Sequence, residues 1–141
     1  MSVEINWLAV VLAAVSSMVV GSIWYAPKVF GNGWMKMTKS KMGKGASAGK
    51  MAWMYGSVFV ASLVTAYILA HVAFLSNRFF GHSYLIDALS TAAWLWLGFT
   101  ATRLYVHDTF EERRKLLTVV NAGHELVTLL VMALIIGFMG V

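Results

Sequence analysis

Residues 51–77 read MAWMYGSVFVASLVTAYILAHVAFLSN, from Met51 to Asn77, without one Asp, Glu, Lys or Arg. A helix needs about 20 consecutive apolar residues to cross the hydrocarbon of a bilayer. In that solvent only a helix bonds all its backbone groups internally. This stretch therefore predicts a membrane-spanning helix, and three further segments resemble it. Ile5 to Pro27 carries no charge, Ser83 to Tyr105 is interrupted only by Asp87 and Arg103, and Leu116 to Val141 holds the single acid Glu125. The predicted fold is all-α, one membrane domain over 1–141. It is an antiparallel bundle of four transmembrane helices over about 5–26, 51–76, 83–105 and 110–140, with a basic loop at 28–50.

Composition agrees. The chain has 141 residues, of which 60% are hydrophobic and 12% charged, with a mean hydropathy of +0.73. A soluble domain carries about a quarter charged residues, and a chain this short has too little interior to hide so much apolar surface. Cysteine is absent, which excludes disulfides, thiolate metal sites and a cysteine nucleophile. The net charge of +5 could suggest nucleic acid. The bases instead sit between apolar segments, as they do beside anionic headgroups, so the expected partner is a lipid bilayer and not nucleic acid.

The first segment should stay in the membrane. Its leading residues, Met1 to Glu4, lack the basic region of a signal peptide, and it ends in bulky Trp24-Tyr25 rather than a small-residue cleavage site. The first connection holds Lys28, Lys36, Lys39, Lys41, Lys44 and Lys50, and the third, with its flanks, holds Arg103, Arg113, Arg114 and Lys115. Ten of the eleven basic residues thus fall on one side, and Arg78 alone on the other. The positive-inside rule makes the basic side cytoplasmic and both termini external. The Gly/Ser/Lys-rich part of the first loop should be flexible, and its GxG (Gly43, Gly45) has no preceding strand to make it a phosphate loop. Trp24, Tyr25, Trp34 and Arg103 are expected at the interface as anchors. Asp108 and Thr109, each three residues before Glu111 or Glu112, predict a capping box that starts the last helix near Phe110. Glu111 and Lys115 would then pair one turn apart.

Candidate functional residues are few. Ala9, Ala13, Ser17 and Gly21 form a small-residue stripe on the first helix, the spacing that lets helix backbones approach closely in lipid. Glu125 lies about 13 Å along the last span, near mid-bilayer, where a carboxylate is costly and a functional candidate by default. Asn121 and Thr128 share its face and His124 adjoins it, a set that could bind an ion or relay a proton. The plainer reading is a protonated Glu bonded to a neighbouring helix. His71, His82 and Asp87 gather near the outer end as weak metal candidates, in no known zinc spacing. No catalytic spacing, nucleotide fingerprint or cofactor motif is present.

Two patterns resemble a known family. One is Gly21-x-x-Trp24-Tyr25-x-Pro27-x-x-Phe30-Gly31-x-x-Trp34. The other is Phe110-Glu111-x-Arg113 followed by Asn121-x-Gly123 and a last apolar helix. Together they are similar to short bacterial membrane proteins known only as a domain of unknown function, number seventeen sixty-one. That resemblance covers nearly the whole chain. It implies four helices in a bacterial cytoplasmic (inner) membrane and no established activity. It also implies an aromatic and an uncharged residue where this chain has His124-Glu125, so Glu125 would not be a family-wide catalytic group.

Two functions follow as expectations. The first is a non-enzymatic integral membrane protein acting by helix packing or by contact with a partner or lipid. The alternative is a small homodimeric transporter or channel with Glu125 as a buried ion- or proton-coupling acid.

Overall fold

The computed structural model describes residues 3–40 and 45–140. Lys41 and Lys44 of the basic loop, and Gly43 of its GxG, lie outside the described residues. All regular structure among those described is helical. α1 spans Trp7–Trp24, α2 Asn32–Thr38, α3 Ala48–Phe80, α4 Tyr84–Leu95, α5 Thr102–Phe110 and α6 Lys115–Met139. π-Helical turns at Pro27–Gly31 and Trp96–Ala101 precede α2 and join α4 to α5. α1, α3 and α6 are each long and apolar enough to cross a membrane. The expected third span is helical throughout but divided by its π turn.

The helices run alternately between a terminal end, where α1 starts and α6 stops, and a loop end. Asn6 caps α1 by accepting the Ala9 N–H on Oδ1 (3.1 Å), and its amide donates to the Met139 carbonyl (3.4 Å), tying the two terminal ends together. Ser47 caps α3 and Ser83 caps α4, each accepting an N–H three residues on. Gly81, with φ 70°, ends α3 in the left-handed conformation a glycine adopts freely.

α1 packs on α3 and α6, and α4 packs on the same two helices. The core between them is built largely of small side chains: Ala9, Ala13 and Ala14 of α1, Ala66, Ala70 and Ala73 of α3, Ala88 and Ala92 of α4, Ala133 of α6. Gly137 takes this furthest, because a Cβ there would stand 2.8 Å from Leu85 Cα. Hydrocarbon offers no hydrophobic drive between helices, so van der Waals contact between closely approaching backbones must hold them. Most of this core lies in the terminal half. Outside it, large apolar side chains such as Trp7, Leu8, Val19, Phe79, Trp94 and Phe138 are exposed, a surface suited to hydrocarbon.

The loop end departs from the expected picture in two places. The first part of the predicted basic loop is helical: Pro27 opens the π turn and the chain remains helical to Thr38, where Lys39 enters the left-handed region (φ 56°). Gly31 permits this turn, since a Cβ there would fall 2.1 Å from the Tyr25 carbonyl oxygen. The last helix begins at Lys115 and not near Phe110, and the predicted capping box does not form. α5 instead continues through Asp108 and Thr109 to Phe110. It stops there because Arg113 N–H returns to the Asp108 carbonyl (2.9 Å) and Glu112 N–H to that of Thr109 (3.2 Å), the Schellman arrangement, with Glu112 at φ 53°. The Asp108 carboxylate, freed from capping, accepts the Thr118 hydroxyl at 2.6 Å and bolts α5 to α6. Glu111 pairs with Arg113, leaving the expected Glu111–Lys115 pair unmade.

Candidate functional site

The Trp24–Trp34 segment folds back along α6. Trp34 Nε1–H donates to Asn121 Oδ1 at 3.1 Å, and the Tyr25 hydroxyl donates to the same oxygen at 3.3 Å. Their rings meet edge to face with centroids 5.2 Å apart. Trp24 packs on Phe30 (4.7 Å) and approaches Gly123, whose missing side chain makes room: a Cβ there would touch the indole at 3.2 Å. Three of the expected interface anchors therefore belong to a packed aromatic cluster on α6. Arg103 lies exposed on α5.

His124 sits beneath this cluster, 5.0 Å from the Tyr25 ring and 6.2 Å from that of Trp24. Its Nδ1 lies 3.3 Å from Glu125 Oε1 and its Nε2 3.5 Å from Thr128 Oγ1. The structure thus brings together Asn121, His124, Glu125 and Thr128, with His124 as the link between the carboxylate and the hydroxyl.

Glu125 falls on the buried stripe of α6. Thr128, Leu129, Met132 and Ile136, at three, four, seven and eleven residues beyond it, are all buried. That spacing is one face of an α-helix. Yet the Glu125 side chain is 43% exposed. Toward the loop end α6 again buries Leu117 and Val120, so the exposure of Glu125 is local to its side chain. Burial fades along α3. Its buried stripe, Ala66, Leu69, Ala70 and Ala73, continues toward the loop end through half-buried Phe59, Ser62 and Leu63 and reaches Tyr55, which is 52% exposed. Residues 52–58 of α3 are all exposed.

α1 is tied to both α3 and α6 near its loop end. The Ser17 and Ser62 hydroxyls stand 2.9 Å apart and join α1 to α3. One turn further along α1, Gly21 faces His124, with 3.5 Å between a Cβ position and Nε2. The π turn and α5 turn toward α6, on which they pack, and Trp96 Nε1–H donates to the Ala122 carbonyl at 2.9 Å.

The small-residue stripe points inward: Ala9, Ala13 and Ser17 are buried and Gly21 meets His124. The three weak metal candidates do not come together. His82 Nδ1 lies 3.0 Å from Asp87 Oδ1, but the third partner is Asn77, whose amide donates to Asp87 Oδ2 (2.8 Å) and to the His82 carbonyl (2.9 Å). His71 lies against Tyr67 instead, and no group of three His, Asp or Glu side chains able to hold a metal occurs among the described residues. Asp87, 1% exposed, thereby locks the α3–α4 corner beside a largely apolar groove of about 600 Å³ lined by Leu75, Phe79, Ile86 and Trp94.

Trp96 carries no signal as a site residue in an apolar sequence. The only hint was Asn121, a polar residue without an evident partner inside an apolar run.

Fold and site together define an all-helical protein with three helices able to cross a membrane and a partly exposed carboxylate, Glu125, on the last of them. Residues 8–137 match the family described as "Protein of unknown function (DUF1761)", and the chain belongs to that family. No curated protein and no solved structure matches it.

Proposed function

We propose that this chain is a non-enzymatic, four-crossing protein of a bacterial cytoplasmic membrane, with both termini outside, that takes a proton or monovalent cation to Glu125 from the cytoplasmic side. One observation carries the reading. Glu125 lies near the middle of α6, on the loop-end side of buried Thr128 and Leu129, yet its side chain is 43% exposed and meets only His124; the positive-inside rule makes the loop end cytoplasmic. An ionisable group at such depth is expensive, so a structure that leaves it accessible and flanks it with His124, Asn121 and Thr128 suits reversible charge binding. The fourth crossing is the helix from α4 through the π turn to α5. Its π turn keeps the chain helical, as such turns do inside longer helices.

The deciding experiment is flux in proteoliposomes. An imposed proton or sodium gradient should collapse at least ten times faster with the wild type than with Glu125→Gln. Equal rates would remove the transport reading. That outcome would favour a second reading, in which the protein acts through packing or lipid contact and Glu125 only bonds to its neighbours, as the alanine-rich core supports.

A further inference from the structure

We infer that the groove at the α3–α4 corner seats a membrane phospholipid, with its phosphate at His82, an acyl ester at Thr91 and an acyl chain along Val72, Trp94 and Leu95. The site stands apart from Glu125 and needs only that the helices cross a bilayer. The corner lies at the terminal end, so in the orientation proposed above the lipid comes from the outer leaflet.

The groove, of about 600 Å³, changes character with depth. Asn77 on α3 and Asp87 on α4 share a level, since their side chains bond at 2.8 Å. His82 stands at the corner that joins the two helices. Thr91 lies one turn below Asp87, about 6 Å along α4, and Leu95 one turn below that. Charge therefore sits at the mouth, a hydroxyl below it, and hydrocarbon below both. A phospholipid presents the same order from the membrane surface inward: phosphate, acyl ester, chain.

Two hydroxyls in the groove are unspent. Helical Ser and Thr often bond a carbonyl three or four residues back, as Ser62, Thr65, Ser90 and Thr102 do here. Ser76 and Thr91 line the groove and make no hydrogen bond among the described residues. Thr91 is only 6% exposed, and a hydroxyl so enclosed is costly until it finds an acceptor. At that depth in a bilayer the acceptor is an ester carbonyl. His82 is engaged on one side only. Its Nδ1 faces the buried Asp87 carboxylate at 3.0 Å, and Phe80 stacks on its ring at 6.0 Å, a contact that favours a cation. The protonated imidazole then keeps Nε2–H for an anion, and hydrogen bonds from a charged donor to phosphate are strong. Phe79 and Trp94, both largely exposed, flank the groove as ridges against which a chain can lie.

The probe is phosphatidylglycerol bearing a diazirine on one acyl chain, present as a trace in vesicles of phosphatidylethanolamine and phosphatidylglycerol that hold the full-length protein. After illumination, peptide mass should place adducts between Val72 and Leu95 at least ten-fold above those on the exposed face of α1 (Leu8, Val15, Val19), which reports ordinary lipid contact. Excess unlabelled phosphatidylglycerol should displace the groove adduct. Palmitate, which has neither phosphate nor ester, should not. Thr91→Val, which removes the hydroxyl and keeps the shape, and Trp94→Ala should each lower groove labelling about five-fold. Trp94 is 73% exposed and its truncation leaves the core intact, so that variant decides the matter even if Thr91→Val is poorly folded. Equal labelling of the groove and of α1 overturns the inference, as does labelling unchanged in Trp94→Ala. Displacement by palmitate as efficient as by phosphatidylglycerol overturns the phosphate and ester contacts. A cross-link from the groove to a second copy of the chain would show that protein, not lipid, covers it.

Discussion

Asn121 holds two aromatic side chains with one oxygen. Trp34 and Tyr25 both donate to Oδ1, and neither has a second acceptor that would replace it. Truncation would leave an indole N–H and a phenol O–H unmet, each worth about 1–2 kcal/mol at a partly buried site. Asn121→Ala should therefore lower stability in detergent by about 2 kcal/mol and shift the Trp34 emission to the red as the α2 segment comes loose. Asn121→Asp, which keeps the acceptor, should lose less. An unchanged emission spectrum in the alanine variant would show that the segment docks by ring packing alone. Glu125 presents the opposite case at this scale. It was legible in the sequence because a lone acid stands out in an apolar run. Its accessibility was not, since that depends on where α3 and α5 lie.

Among the elements, α4 and α6 cross most tightly where Gly137 meets Leu85. A methyl group there collides with backbone at 2.8 Å and cannot be relieved by a side-chain rotation. Gly137→Ala should cost about 1–3 kcal/mol, the usual range for overpacking, read as a lower unfolding temperature in detergent. Gly56→Ala makes the contrast. Nothing lies within 4 Å of its Cβ position, and alanine is the better helix former, so a gain of up to about 1 kcal/mol is expected. If both substitutions behave alike, close crossing at Gly137 is not what holds α4 to α6. This scale also shows what sequence reading reaches. The apolar runs and the Ala9–Gly21 stripe were visible because lipid imposes length and small residues impose spacing. The helical return over Pro27–Thr38 was not, because its anchor Asn121 lies 87 positions from Trp34. The end of α5 was misread because Asp108 and Thr109 carry good capping chemistry, while a tertiary bond to Thr118 claimed the Asp108 carboxylate.

For the whole molecule, sidedness is the first prediction to check. The chain has no cysteine, so single introduced thiols can be labelled without background. A thiol at Ala46 should react with an impermeant maleimide only when the cytoplasmic face is open, and one at Phe80 only from outside. The reversed pattern would invert the proposed side of access to Glu125. The alanine-rich core of the terminal half emerges from packing among helices distant in the chain. No local pattern encodes it.

α3 has 33 residues and so measures about 50 Å. Bilayer hydrocarbon is only about 30 Å thick, and a rod too long for its slab leans. In a bilayer the lean of α3 would be set partly by the lipid, and with it the exposure of Glu125. Carbodiimide modification of Glu125 should accordingly run faster in vesicles of short-chain lipid than in long-chain ones, and equal rates would mean that the protein fixes its own geometry. On this view the thickness of the surrounding membrane acts as a throttle on the site.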